Sequence, residues 1–142
     1  MTDSRDANDL PIQTWLQSFL AAQGGVAGTV HLREGETLTI AAAVNIPPKV
    51  REVTARIPRG KGMAGLAFDR NDAVTTCNLQ DDAGGAVRPG AKAVDARAAA
   101  AIPVRDAKGE VRAIVGIAFS DERDLPAATL QSLTAAAQQL PA

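Results

Sequence analysis

Arg56-Ile57-Pro58-Arg59-Gly60-Lys61-Gly62-Met63-Ala64-Gly65-Leu66, read together with the later run from Ala101 to Ile117, A-I-P-V-R-D-A-K-G-E-V-R-A-I-V-G-I, decides the fold. The first stretch contains G-x-G-x-x-G at Gly60, Gly62 and Gly65, a spacing that can cradle a dinucleotide pyrophosphate where a strand turns into a helix. Its context argues against that use. Arg56, Pro58 and Arg59 interrupt the approach that should be an apolar strand, and Pro58 removes a ladder donor. Only residues 66–72 separate Gly65 from the next extended run at Ala73, whereas a parallel crossover needs about a dozen. Asp81 stands about where a ribose-binding acid belongs, but the topology cannot close. The glycines instead predict a tight turn after an extended Ile57-Pro58, followed by a short helix from Met63 to Asp69. Small Ala64 and Gly65 would let that helix lie close to a sheet. The second stretch predicts a β-hairpin, Ala98–Val104 and Val111–Phe119, turning over Asp106–Gly109.

Working outward, a first helix is expected from Asp9, with Pro11 in its first turn and Ile12, Trp15, Leu16, Phe19 and Leu20 on one face; Gly24 and Gly25 end it. Residues 1–8 are expected to be a flexible N-terminus, and 9–140 a single domain. Val26 to Arg33 and Leu38 to Val44 alternate as a strand pair around Glu34-Gly35. A helical turn is expected at Lys49–Thr54, a third strand at Ala73–Leu79, and a last helix from Pro126. Gln80 to Ala96, rich in Gly and Asp, reads as a long loop.

The order and spacing of these motifs resemble the GAF domain. That family carries an I-P-x-G-x-G-hydrophobic-x-G turn before a short helix, then a V-P-hydrophobic strand and a V-V-G-hydrophobic strand. The counterparts here are Ile57 to Gly65, Ile102-Pro103-Val104 and Ile114-Val115-Gly116-Ile117. The resemblance runs from the first helix to the last. It implies an α+β fold: a central antiparallel sheet of five or six strands, N- and C-terminal helices on one face, and loops and short helices over the other. It also implies a small-molecule sensory or regulatory role, a ligand cavity closed by the Gln80–Ala96 loop, and a homodimer through a helical bundle.

Composition bounds the alternatives. With 142 residues and 46% hydrophobic content there is chain for one core and no room for a second domain. The formal net charge of −1 is spread without patches, which disfavours nucleic acid or an anionic membrane as partner. No apolar run has membrane-spanning length and the N-terminus is polar, so a cytoplasmic location is expected. One cysteine and one histidine leave no multi-cysteine metal site, and no cofactor is identified. His31, on a strand beside Thr29, reads as a hydrogen-bonded histidine rather than a haem ligand. With no tyrosine and few aromatics, stacking platforms for planar cofactors are poorly provided, and a small polar ligand suits the composition better.

Candidate ligand-binding residues are Cys77, Asp81, Asp82, Arg88, Asp95 and Arg97, with Arg88 able to clamp an anion and the aspartates to accept from an amine or hydroxyl. One branch of the resembled family reduces free methionine sulfoxide with cysteines, and its turn also reads R-I-P-x-G-K-G. The branch's cysteine two residues after the motif's second glycine corresponds to Ala64, and its reacting cysteine to the loop Asp81–Ala96, which has no thiol. Cys77, in an apolar-flanked strand, reads as a buried structural cysteine, so no catalytic residue is assigned.

The alanines 98–101 either leave room for a ligand or admit Trp15 and Phe19 from a close helix; alanine-rich usage elsewhere favours compositional bias over a sculpted pocket. Leu130, Leu133, Ala137 and Leu140 form a coiled-coil-like stripe. The candidate dimer interface is therefore Trp15, Phe19, Leu130, Leu133 and Leu140, with plain core packing as the alternative. A ligand-free dimerisation module, its cavity collapsed around alanines, is the second reading of the whole chain.

Overall fold

The computed structural model describes residues 4–76, 98–120 and 125–141. The chain runs α1 (Ser4–Gln23), β1 (Ala27–Glu34), β2 (Thr37–Val44), α2 (Pro48–Val53), β3 (Arg56–Pro58), α3 (Gly62–Arg70), β4 (Val74–Thr76), β5 (Ala98–Arg105), β6 (Val111–Phe119) and α4 (Ala127–Ala137). The strands form one curled, six-stranded antiparallel sheet in the order β3-β2-β1-β6-β5-β4. The α+β architecture is the expected one.

One expectation is corrected. Asp9 does not cap α1, which begins at Ser4 and carries Pro11 in its interior rather than in its first turn. The helix tolerates the proline because the apolar face that follows is anchored: Ile12, Leu16, Phe19 and Leu20 are all buried. Gly24 then takes a left-handed φ of 75°, ending the helix where its sequence announced.

Alternation along each strand divides the core into two layers. Val30, Ala98, Ala100, Ile102, Val104, Ala113, Val115, Ile117 and Phe119 face α1 and α4, whose Leu133, Ala137 and following Leu140 complete that layer. The opposite face carries α3 through Ala67 and Phe68, packed on Leu38, Ile57, Val74, Ala101, Val111 and Ile114. Val50 of α2 lies over Ala27 and Ala99 on this same face.

Two glutamines finish the sheet where its edge strands are too short to do so. β3 pairs with β2 only at Thr37–Thr39, and beyond it Gln13 of α1 donates Nε2–H to the Ala43 carbonyl (2.9 Å) while its Oε1 accepts from the Ala43 N–H (3.2 Å). Among the described residues β4 pairs with β5 at Ala99–Ala101, and beyond it Gln138 donates to the Pro103 carbonyl (3.1 Å) and accepts from the Arg105 N–H (3.1 Å). Each side-chain amide reproduces the donor and acceptor of a missing strand at that position and ties the edge to a terminal helix.

Candidate functional site

The motif turn is built by two left-handed glycines, Gly60 (φ 86°) and Gly62 (φ 65°), a conformation costly for other residues. Gly65 is constrained differently: a Cβ there would lie 2.6 Å from the Pro58 carbonyl oxygen, so the turn and the first turn of α3 close on bare backbone. Arg59 fixes the turn from outside. Its guanidinium meets Glu36 Oε2 (2.8 Å) and Asp69 Oδ1 (3.1 Å) and lies 4.9 Å from the Phe68 ring centroid, with Arg33 at 5.0 Å from the same ring. The hydrogen bond from Arg59, with its charge, holds the Glu36 carboxyl below the usual carboxylate range. The motif glycines are thus structural, as their context implied.

Between this turn, α2 and the sheet lies a cavity of about 150 Å³. It exists because two adjacent rows across the three central strands carry only small side chains. Ala27 pairs with Ala118, which pairs with Ala99; Thr29 pairs with Gly116, which pairs with Ala101. These six positions form the floor, and Ile46, Val50, Ile57, Met63 and Ala64 also line the space, which is partly open. Parity divides alanines 98–101 between the two faces of the sheet. Ala98 and Ala100 admit Leu16 and Phe19 on the helical face, while the side chains of Ala99 and Ala101 belong to the cavity face.

His31 forms part of the cavity wall and is 2% exposed. Its Nε2 lies 2.8 Å from the Thr54 carbonyl oxygen at the end of α2. A carbonyl only accepts, so Nε2 carries the proton and Nδ1 of the neutral ring is an acceptor. Nδ1 has no hydrogen-bond partner. Burial pushes the imidazole pKa below its ordinary 6.5, with the Thr54 bond opposing in part. Sequence reasoning found the hydrogen-bonded histidine. It did not place His31 at the expected cavity or find the orphaned nitrogen, because strand alternation shows which face a residue takes and not what packs over it. The walls are also more apolar than the small polar ligand expected from composition: Thr29, His31, Thr54 and the exposed Lys61 are the polar side chains among the described lining residues.

Cys77, Asp81, Asp82, Arg88, Asp95 and Arg97 lie outside the described residues, as does the Gln80–Ala96 loop. Of the candidate interface residues, Phe19, Leu133 and Leu140 are buried within the single chain. Trp15, stacked on Phe19 at 4.9 Å, and Leu130 are half-buried at the edge of the helical layer.

The GAF domain family model matches residues 12–140 of the sequence. The chain belongs to the GAF domain family. A sequence comparison with curated proteins finds no match. Among solved structures the chain is similar to the type II free methionine-R-sulfoxide reductase of Thermoplasma acidophilum (18% identity over 97% of this chain and 92% of that one, TM-score 0.73). It is similar also to the GAF domain of an Acinetobacter phosphoenolpyruvate-protein phosphotransferase (15% identity, 98% and 81% covered, TM-score 0.73). A third is the free methionine-R-sulfoxide reductase of Neisseria meningitidis, solved with its substrate (15% identity, 96% and 77% covered, TM-score 0.68). At these identities the likeness shows a shared GAF fold. Among the described residues, no helix is long and apolar enough to cross a membrane, and no group of three or more His, Cys, Asp or Glu is arranged to hold a metal.

Proposed function

We propose that this GAF domain is a non-catalytic sensory or regulatory module of the cytoplasm that holds a small molecule in the cavity beneath α2 and α3 and acts as a homodimer through α1 and α4. The observation that carries the reading is the floor of Ala27, Thr29, Ala99, Ala101, Gly116 and Ala118, which keeps about 150 Å³ open at the centre of the sheet. A ligand-free module would gain by filling that space, so an open cavity favours the sensor over the collapsed dimerisation module.

The single cysteine supports a non-catalytic role. Thiolate attack on a sulfoxide followed by disulfide resolution needs two sulfurs within reach, or an external thiol acting on an exposed first one. Ala64, at the position the resemblance assigns to one such cysteine, lines the cavity without a thiol. For output, β5 supplies Ala99 and Ala101 to the floor, and the same strand is held at Pro103 and Arg105 by Gln138 beyond the end of α4. A ligand that displaces β5 therefore pulls on the terminal helical layer, where Trp15 and Leu130 offer apolar surface to a second copy.

The test is a thermal-shift screen against nucleotides, amino acids, methionine sulfoxide, small carboxylates and small neutral organic molecules. A ligand at a hundredfold over its Kd should stabilise by about 2.7 kcal/mol, and Ala99→Leu should remove the response. A hit that survives Ala99→Leu overturns the cavity assignment. Sedimentation should show a dimer that Leu130→Glu dissociates; a monomer at every concentration overturns the dimer.

A further inference from the structure

Of the polar side chains among the described lining residues, His31 and Thr54 have nothing left to offer a guest. Nδ1 of His31 is closed off from the cavity as from water, and the Thr54 hydroxyl is donated to the Val50 carbonyl at 2.7 Å. Thr29 and Lys61 remain. Thr29 Oγ1 has no hydrogen-bond partner among the described residues, yet unlike His31 Nδ1 and Thr39 Oγ1 it keeps accessible surface. It stands on the floor beside Gly116, where a Cβ would lie 2.8 Å from it, so the bare glycine leaves it uncovered. Lys61 lines the same cavity and is exposed, which places it at the opening. Its neighbour Arg59 is neutralised by Glu36 and Asp69, whereas Lys61 has no ion pair among the described residues. No acidic side chain is among the described lining residues, and the first turn of α3, which has none either, adds its positive end on the same side.

We infer, resting on the reading of the cavity as a ligand site, that the ligand is a small carboxylate of single negative charge that also carries a hydroxyl group. Its carboxylate meets Lys61 at the opening, its apolar body lies over Ala99, Ala101 and Gly116, and its hydroxyl bonds Thr29 Oγ1. A volume of about 150 Å³ accepts a body of benzene size and is too small for a nucleotide. The carboxylate stays at the partly open rim, where water completes its solvation and one ammonium on a flexible stem balances its charge. At the floor a hydroxyl must be stripped of water, and Thr29 supplies a free partner able both to donate and to accept. Lys61 thus selects the class of ligand, and Thr29 selects the hydroxylated member of that class.

Benzoate, benzamide, 3-hydroxybenzoate and 4-hydroxybenzoate are near-isosteric probes of the two contacts. Titration calorimetry should show Lys61→Gln weakening benzoate roughly threefold and leaving benzamide unchanged. On the unaltered chain, added salt should likewise weaken benzoate and spare benzamide. One of the hydroxybenzoates should bind roughly three- to tenfold more tightly than benzoate. Thr29→Val, which deletes a hydroxyl without a partner, should erase that advantage while benzoate binds as before. The salt series and the hydroxyl comparison use the parent protein, so they decide even where a substitution unfolds the chain. Benzoate weakened no more than benzamide by salt or by Lys61→Gln overturns the inference. So does a hydroxyl that brings no gain, or a gain that survives Thr29→Val. If none of these probes binds while another ligand from the screen loses its response on Ala99→Leu, the inference falls and the sensor reading stands. If nothing binds at all, both fall.

Discussion

Ala99→Leu should stabilise this protein, and Ala98→Leu, one residue earlier on the same strand, should destabilise it. Ala99 faces the cavity beside Val50 and Met63, whereas Ala98 is fully buried beneath the terminal helices. Leucine adds three carbons, each contributing about 0.8 kcal/mol when buried, less about 0.5–1 kcal/mol of lost rotamer freedom. The net gain is roughly 1.5 kcal/mol, or a Tm raised by roughly 3–6 °C. On the other face Ala98 is 0% exposed within the core under the terminal helices, and overpacking costs about 1–3 kcal/mol. Urea titrations and thermal melts of the two variants beside the parent measure both signs. If Ala99→Leu destabilises as much as Ala98→Leu, the cavity is not there to be filled, and the site built on it fails.

Other outcomes follow from single contacts. A Cβ on Gly116 would lie 2.8 Å from Thr29 Oγ1; Gly116→Ala should cost about 1–3 kcal/mol, and Thr29→Ala should restore most of it in a double-mutant cycle. Gly65→Ala drives its Cβ to 2.6 Å from the Pro58 carbonyl oxygen, which cannot move away, so it should destabilise with no side-chain change able to rescue it. Burial holds His31 below 6.5, so the folded chain binds fewer protons than the unfolded chain between its lowered pKa and 6.5. The contribution of neutral His31 to stability is therefore complete above pH 6.5 and lost as pH falls through that window. Urea unfolding from pH 7.5 downward should show the decline, and His31→Gln should flatten it by up to about 1.4 kcal/mol per pH unit; an unchanged slope in the variant would refute the burial account.

The sequence by itself determined most of the described secondary structure and the fold family, because those depend on local chemistry. Glycines that permit positive φ at 60 and 62, prolines that refuse a helix, and period-two alternation in Val26–Arg33 and Ala98–Val104 act within a few residues. It also argued against a dinucleotide site, since too little chain separates Gly65 from Ala73 for a crossover. What only the tertiary structure decided depends on juxtaposition across strands. The emptiness over the sheet requires Ala27, Ala118 and Ala99 to stand in one row and Thr29, Gly116 and Ala101 in the next. That register joins segments far apart in the chain, and no one of them is unusual alone. The same holds for His31, whose hydrogen bond to Thr54 was foreseeable in kind but whose second nitrogen is buried without a partner through packing that joins distant segments. Phe19, Leu133 and Leu140 carried an interface pattern and a core pattern alike, since burial against one's own sheet and burial against a second copy select the same side chains. Their placement inside the monomer was settled by how α1 and α4 pack, a distinction that hydrophobic spacing along one helix does not encode.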